Sequence, residues 1–332
     1  MKKYFVFLFL AFAVLLAPAQ NNKLAQTGLK FLNVATDPRA EGMGEAVTSV
    51  EGTSTSLFFN PAGMARMQST VQADFGNTQW IADIKHYYGS IAIATPNDEY
   101  GVFGFTFQSV NYGEMFRTVR ADNADGYMDM GTFTPIAFSL GAGYARALSD
   151  RFSIGARIAY NIQDLGEGFN QVDINNNPIA SANRVEVFSF DFGMFYKTGL
   201  KSLNFAASVK NFSKEVTYQR EGFQLPLMFR IGLSANVMDF LFDGKDVDPL
   251  LISVDAINAR DYPETVNAGV EYVFMKTLSL RAGYMFGYDE QNYTAGIGLQ
   301  STFEGVGIGL DYAYTPFGVF GNVNRFSIQM FF

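Results

Sequence analysis

From Ser69 to Phe332 the chain is a succession of short runs in which apolar and polar residues alternate, punctuated by Gly, Asn, Asp and Pro. That period is the one a strand with two unlike faces requires, and no helix satisfies it. About fourteen runs qualify: 69–76, 84–95, 100–110, 135–148, 152–164, 184–199, 203–211, 226–239, 250–258, 264–275, 279–287, 292–302, 305–316 and 323–332. Most reach the roughly nine to eleven residues that a tilted strand needs to cross a bilayer. In 152–162, Phe152, Ile154, Ala156, Ile158, Tyr160 and Ile162 share one face, against Ser153, Gly155, Arg157, Ala159 and Asn161 on the other.

A soluble sandwich also alternates, so the connections decide. With both termini on one side, the turns on that side are short: Pro96–Glu99, Ser149–Arg151, Leu200–Ser202, Lys276–Leu278 and Phe303–Glu304. The opposite side holds the long ones: Asn111–Thr134, Leu165–Asn183 and Phe212–Leu225. Short turns on one rim and long loops on the other mark a transmembrane β-barrel. The connection Phe240–Pro249 is the exception, being long where a short turn belongs. Composition agrees: aromatics stand at 16% and charged residues at 17%, the latter below the usual quarter. A mean hydropathy of +0.05 excludes a helical membrane bundle but suits strands that are half apolar. The expected fold is an all-β, antiparallel transmembrane barrel of about fourteen strands, monomeric and seated in lipid.

Met1 to Ala19 reads as a secretory signal peptide, with Lys2 and Lys3 ahead of an apolar core and Ala17-Pro18-Ala19 at the cleavage site. The expected division is signal peptide 1–19, periplasmic leader and N-terminal plug 20–68, and outer-membrane barrel 69–332, exported from a Gram-negative cytoplasm. The plug is read from Val34–Met67, which lacks the period of 2 and is rich in Gly, Ala and Ser. Within it, Asn60 can cap, Pro61 suits a first helical position, and Gly63 relaxes the backbone.

The chain has no Cys, which removes disulfides and thiolate sites, and its net charge of −8 offers no basic surface for nucleic acid. One His, His86, cannot make a His-based zinc site and reads as an interfacial structural residue near the outer rim. Asp173-Ile174-Asn175-Asn176-Asn177 starts like a calcium loop, but Pro178 and Arg184 stand where Gly and Glu are needed. Asp122–Gly126 fails the spacing too, so any loop calcium would be adventitious. Gly305, Gly307 and Gly309 fall in strand phase, where they read as inward glycines making room for the plug rather than as a phosphate loop. No metal, cofactor or catalytic residue is expected, and the chain reads as a non-enzyme.

Eight charges fall on the face opposite the apolar set: Arg157, Asp191, Arg230, Asp255, Glu271, Arg281, Asp311 and Arg325. An Arg or Lys turned into lipid at mid-depth costs about 2–4 kcal/mol, so these must point inward. With four of each sign they predict mutual neutralisation around a plug rather than a selective ion ring, and Arg39 is expected to join them.

Two motifs carry a family resemblance. The run FLNVATDPRAEGMGEA, containing Arg39, Gly42, Met43 and Gly44, precedes SLFFNPAGMARM, containing Asn60, Pro61, Ala62 and Gly63. In that order they resemble the N-terminal signature of the PorV/PorQ family of outer-membrane proteins, themselves similar to the FadL group; Phe59 stands where family members commonly carry Trp. The final Phe326, Ile328, Met330 and Phe332 resemble the C-terminal signal by which outer-membrane barrels are assembled. The resemblance implies a partner-binding component of type IX protein secretion that contacts secreted cargo or the translocon. The alternative it implies is a FadL-like passive route for hydrophobic compounds. For the first reading the long loops supply the expected contact residues: Tyr112, Phe116, Arg117, Arg120, Tyr127, Phe169, Tyr218 and Arg220.

Overall fold

A computed structural model describes residues 27–95, 100–172, 178–242 and 247–332. The expected signal peptide, residues 20–26 of the leader, the turn 96–99 and the calcium-like run 173–177 lie outside the described residues. Fourteen antiparallel strands close into one barrel. In chain order the strands are β1 (Val71–Gln79), β2 (Lys85–Ala94), β3 (Val102–Asn111), β4 (Met115–Arg120), β5 (Tyr127–Phe133), β6 (Ile136–Ala147), β7 (Phe152–Val172), β8 (Pro178–Lys197) and β9 (Asn204–Phe212). They continue with β10 (Val216–Thr217), β11 (Gly222–Phe223), β12 (Met228–Asn236), β13 (Leu250–Ala259), β14 (Thr265–Phe274), β15 (Leu278–Phe286), β16 (Tyr293–Phe303), β17 (Val306–Pro316) and β18 (Asn322–Phe331). The pairs β4–β5 and β10–β11 are separate two-stranded sheets outside the ring. The ring closes where β18 lies along β1, from Gln72 opposite Phe331 to Gln79 opposite Asn324. Val71 and Phe332 extend that seam with reciprocal backbone bonds of 2.9 and 3.0 Å.

The wall is inside-out relative to a soluble barrel. On β3 the rings of Phe103, Phe105 and Phe107 are exposed while Thr106 and Gln108 are buried. On β7 and β8, Ile154, Ile158, Phe188, Phe190 and Phe192 are exposed, whereas Ser153, Asn161, Ser189 and Asp191 are buried. Large apolar side chains bare around the whole ring, with polar groups within, are stable only where lipid is the outer solvent. Phe326, Ile328 and Met330 belong to this outward set, and Phe332 ends it exposed.

Four sequence expectations are corrected. The first strand starts two residues later and ends three later, at Val71–Gln79, because its inward residues Gln72, Asp74 and Thr78 are polar and give no apolar phase to read. Much of 165–183 is strand: β7 and β8 run on as a long hairpin, with bulges after Asp164 and Phe169. Segment 111–134 holds the β4–β5 hairpin, and 212–225 the short β10–β11 pair. The strand expected to run to 239 ends at Asn236, and a helix, α2 (Val237–Leu241), leads into the connection 240–249, lengthening it without shifting the register of β13.

Ahead of β1 the chain makes a short helix, α1 (Pro38–Gly42), and 3-10 turns at Lys30–Asn33, Ser54–Phe58 and Pro61–Arg66. Asp37 caps α1 by accepting from the Arg39 N–H at 2.9 Å, and Pro38 takes the first position, where no donor is needed. α1 packs on β15–β18, Ser54–Phe58 on β1–β3, and Pro61–Arg66 on β6–β8. Residues 27–33 lie at the long-loop end, not at the short-turn end where a periplasmic leader was expected. There Leu29, Phe31 and Leu32 pack with Val110, Val185, Val187 and Leu225.

Introducing Phe105→Arg at mid-wall is expected to cost about 2–4 kcal/mol. Semi-native electrophoresis in detergent will show it as a lower temperature for converting the compact to the unfolded band. Phe116→Arg, on the β4–β5 hairpin, leaves that temperature unchanged.

Candidate functional site

All eight charges read from the strand phase lie on the inner face, and each meets another charge or the N-terminal segment. Between β7 and β8, Arg157 donates to Asp191 at 2.6 Å and to Thr106 at 3.0 Å. Arg230 donates to the Glu45 carboxylate at 2.5 Å, and Asp255 accepts the Thr48 N–H at 3.0 Å. Glu271 is gripped from two sides: Arg39 donates through two nitrogens at 3.0 and 2.7 Å, and Arg281 at 2.7 Å. Arg281 also bonds Asp311. Arg325 pairs with Glu41 at 3.2 Å, donates to the Ala35 carbonyl at 2.9 Å, and lies over the Trp80 ring. Neutralisation thus runs partly wall to wall and partly wall to N-terminal segment.

The residues missed from sequence are the segment's own acids. Glu41 and Glu45 are buried and hold Arg325 and Arg230, while Asp37 caps α1. The signal was present: acids recur four residues apart at 37, 41 and 45 in a stretch otherwise small and apolar. Burial pushes the Glu41 carboxyl above its ordinary range despite Arg325, and Asp37 is raised for the same reason.

The motif residues form the contact surface of this segment. Asn60 accepts from the Ala62 N–H at 3.1 Å and donates to the carbonyls of Thr48, at 2.8 Å, and of Met194 in β8, at 3.1 Å. Met43 is fully buried, and Gly44, at φ +62°, donates its N–H to Thr294 at 3.1 Å. A Cβ on Gly63 would stand 2.9 Å from the Val50 carbonyl oxygen, and one on Gly42 3.0 Å from Gly296 Cα. The wall makes room in turn. A Cβ at Gly269 would meet Met43 O at 2.3 Å, and one at Gly283 would meet Gly44 N at 2.1 Å. Gly305, Gly307 and Gly309 do not serve this purpose: Gly305 is a turn residue at φ +86°, and the other two face Phe331 and Gln329 on β18.

At the long-loop end lies a recess of about 340 Å³. Phe31, Val34, Trp80, Ile84 and Phe317 form its apolar side; Lys30, Asn33, Glu45, His86 and Gln291 supply polar groups. Trp80 meets Phe317 edge-on at 5.0 Å and His86 at 5.9 Å. Trp80 is therefore turned inward at the rim, and His86, expected at the interface, is almost completely buried. The order of the chain explains this: His86 is in inward phase on β2, between exposed Lys85 and Tyr87. Lys30 and Thr27 both bond Asp261, which outweighs the effect of burial and lowers that carboxyl. A second, polar cavity of about 210 Å³ lies by Asp37, Arg39, Asp74, Glu271 and Arg281.

The loop residues divide. Tyr112 and Tyr218 are turned in, both bonded to the Gln163 amide, at 3.1 and 2.8 Å, because they cover the apolar cluster around Phe31. They are not the exposed aromatics expected. Phe116, Arg120, Tyr127 and Arg220 are exposed, Phe169 is half-buried, and Arg117 lies over Phe133 and reaches Glu167 at 3.7 Å. Among the described residues no His, Cys, Asp and Glu side chains group as metal ligands.

A closed ring bare and apolar outside, polar and charged inside, defines a transmembrane barrel. Solved structures specify its kind: the fold is that of the FadL-type outer-membrane barrels. The toluene transporter TbuX of Ralstonia pickettii superposes with a TM-score of 0.58 at 10% identity, over 88% of this chain and 96% of that one. The toluene transporter TodX of Pseudomonas putida gives 0.55 at 12% identity, over 88% and 95%. A FadL homologue of Pseudomonas aeruginosa gives 0.51 at 13% identity, over 90% and 98%. No protein-family profile matches the sequence, and no curated protein matches it.

Arg325→Met strands Glu41 as an unpaired buried carboxylate and is expected to destabilise the barrel by about 3–5 kcal/mol. Pairing it with Glu41→Gln recovers most of that loss. Thermal conversion of the compact band measures both.

Proposed function

We propose that this chain is a passive route by which small hydrophobic compounds cross the outer membrane, with residues 34–67 as its plug. The observation that carries this reading is the aromatic-walled recess at the long-loop end, where a dissolved apolar compound would meet the barrel first. Apolar concavities with a few polar groups are what small-molecule sites are made of. Neighbours of the same fold support it: two are described as toluene transporters and a third, CymD, as a monoaromatic hydrocarbon channel. Below the recess the inner face is occupied by Arg–carboxylate pairs and the packed N-terminal segment, so onward passage requires that segment to yield. Export by a signal peptide and residence in a Gram-negative outer membrane belong to the same proposal.

One observation favours the second reading, a PorV/PorQ-like partner in type IX secretion. The β4–β5 hairpin exposes Phe116, Tyr127, Met128 and Met130, with Phe116 at 81%. Exposed aromatics on a projecting hairpin suit docking to cargo or translocon better than uptake.

Replacing 115–133 by a tight turn separates the two. Uptake of radiolabelled toluene into cells carrying this barrel as their only such route is expected to persist, and secretion of surface proteins to be unchanged. No toluene uptake through the unaltered barrel, together with a fall in secretion when the hairpin is shortened, would exchange the lead reading for the second.

A further inference from the structure

We infer that the recess takes an aromatic compound carrying one neutral hydroxyl, an aromatic alcohol or phenol, in preference to a bare hydrocarbon; this rests on the transporter reading and narrows it. Size comes first. An apolar cavity of about 150 Å³ holds benzene, so about 340 Å³ admits one ring with a short substituent. Phe31, Trp80, Ile84 and Phe317 offer the ring faces and edges to stack on.

The rest of the wall is not what a hydrocarbon needs. His86 is 2% exposed; its Nδ1 is sealed from solvent, and its Nε2 has no hydrogen-bond partner among the described residues. Gln291, half-buried on the same wall, shows no hydrogen-bond partner for its amide among the described residues either. A hydroxyl both donates and accepts, so it satisfies an imidazole nitrogen in either tautomer and an amide in either orientation. A methyl in its place leaves those groups unpaired. Charge does not select the ligand: Lys30 is committed to Asp261 and Glu45 to Arg230, one of each sign, so neither is left to bind an ionic headgroup.

Trp80 is the only tryptophan in the chain, so its emission in the purified, full-length barrel reports the recess alone. Benzyl alcohol and ethylbenzene differ by a hydroxyl for a methyl. Titrated at equal aqueous activity, both are expected to change Trp80 emission saturably, benzyl alcohol with a Kd about tenfold lower, the order set by one unpaired buried polar group. His86→Phe and Gln291→Leu, each first checked for the compact electrophoretic band, are expected to shrink that ratio towards one. Equal or tighter binding of ethylbenzene to the unaltered barrel overturns this inference and leaves the transporter reading standing. A tenfold preference that survives in both variants overturns the assignment of His86 and Gln291. No saturable response to either compound overturns the inference and the transporter reading together.

Discussion

A ring of fourteen strands is wider than its own inward side chains can fill. About eight strands give an interior that side chains just close, and larger rings leave open space. In this barrel the inner face is met instead by the chain's own N-terminal segment, and the rest of the structure follows from fitting one to the other. Two kinds of residue make the fit. Wall glycines such as Gly269 and Gly283 let the backbone of Met43 and Gly44 approach to distances no Cβ would permit. Wall arginines then meet carboxylates on the segment, Arg325 with Glu41 and Arg230 with Glu45. Burying charge is costly unless the partner is present with good geometry. The wall and the segment are therefore each unsatisfactory alone, and the pairs set the register of one on the other.

The interior is graded along the barrel axis, and the grading bears on function. Around the middle it is charged and hydrogen-bonded, an environment hostile to an apolar solute. At the long-loop end Val110, Val185, Val187 and Leu225 make an apolar collar, covered by Leu29, Phe31 and Leu32, with the Trp80 recess beside it. A hydrophobic compound arriving from the loop side would find partners there and none directly below. The recess and the β4–β5 hairpin are separate features on the same rim, so a transport role and a docking role are physically separable in one molecule.

What the sequence determined was whatever depends on period and sign. Alternation placed fourteen strands and told the lipid face from the inner one, because lipid permits no charge and lumen polarity needs no long range order to be visible in Phe188, Phe190 and Phe192 against Ser189 and Asp191. It also sent Arg157, Asp255, Glu271 and Arg325 inward on that rule alone. Period 2 loses its meaning where both faces are alike: at the inward-polar end of β1, and along the β7–β8 extension beyond the bilayer, where loop and strand look the same in one dimension.

Only the tertiary structure decided which charge meets which, and which glycines matter. Glu41 and Arg325 are 284 positions apart in the chain, yet they become neighbours because the barrel closes β18 against β1 beside α1. Gly305, Gly307 and Gly309 had the same strand phase as the glycines that receive the segment, but they face β18 or a turn. The direction of Trp80, Tyr112 and Tyr218, inward rather than to solvent, was likewise fixed by neighbours from distant strands. Local sequence specifies the side of the sheet a residue takes; the curvature and closure of the whole ring specify what stands opposite it.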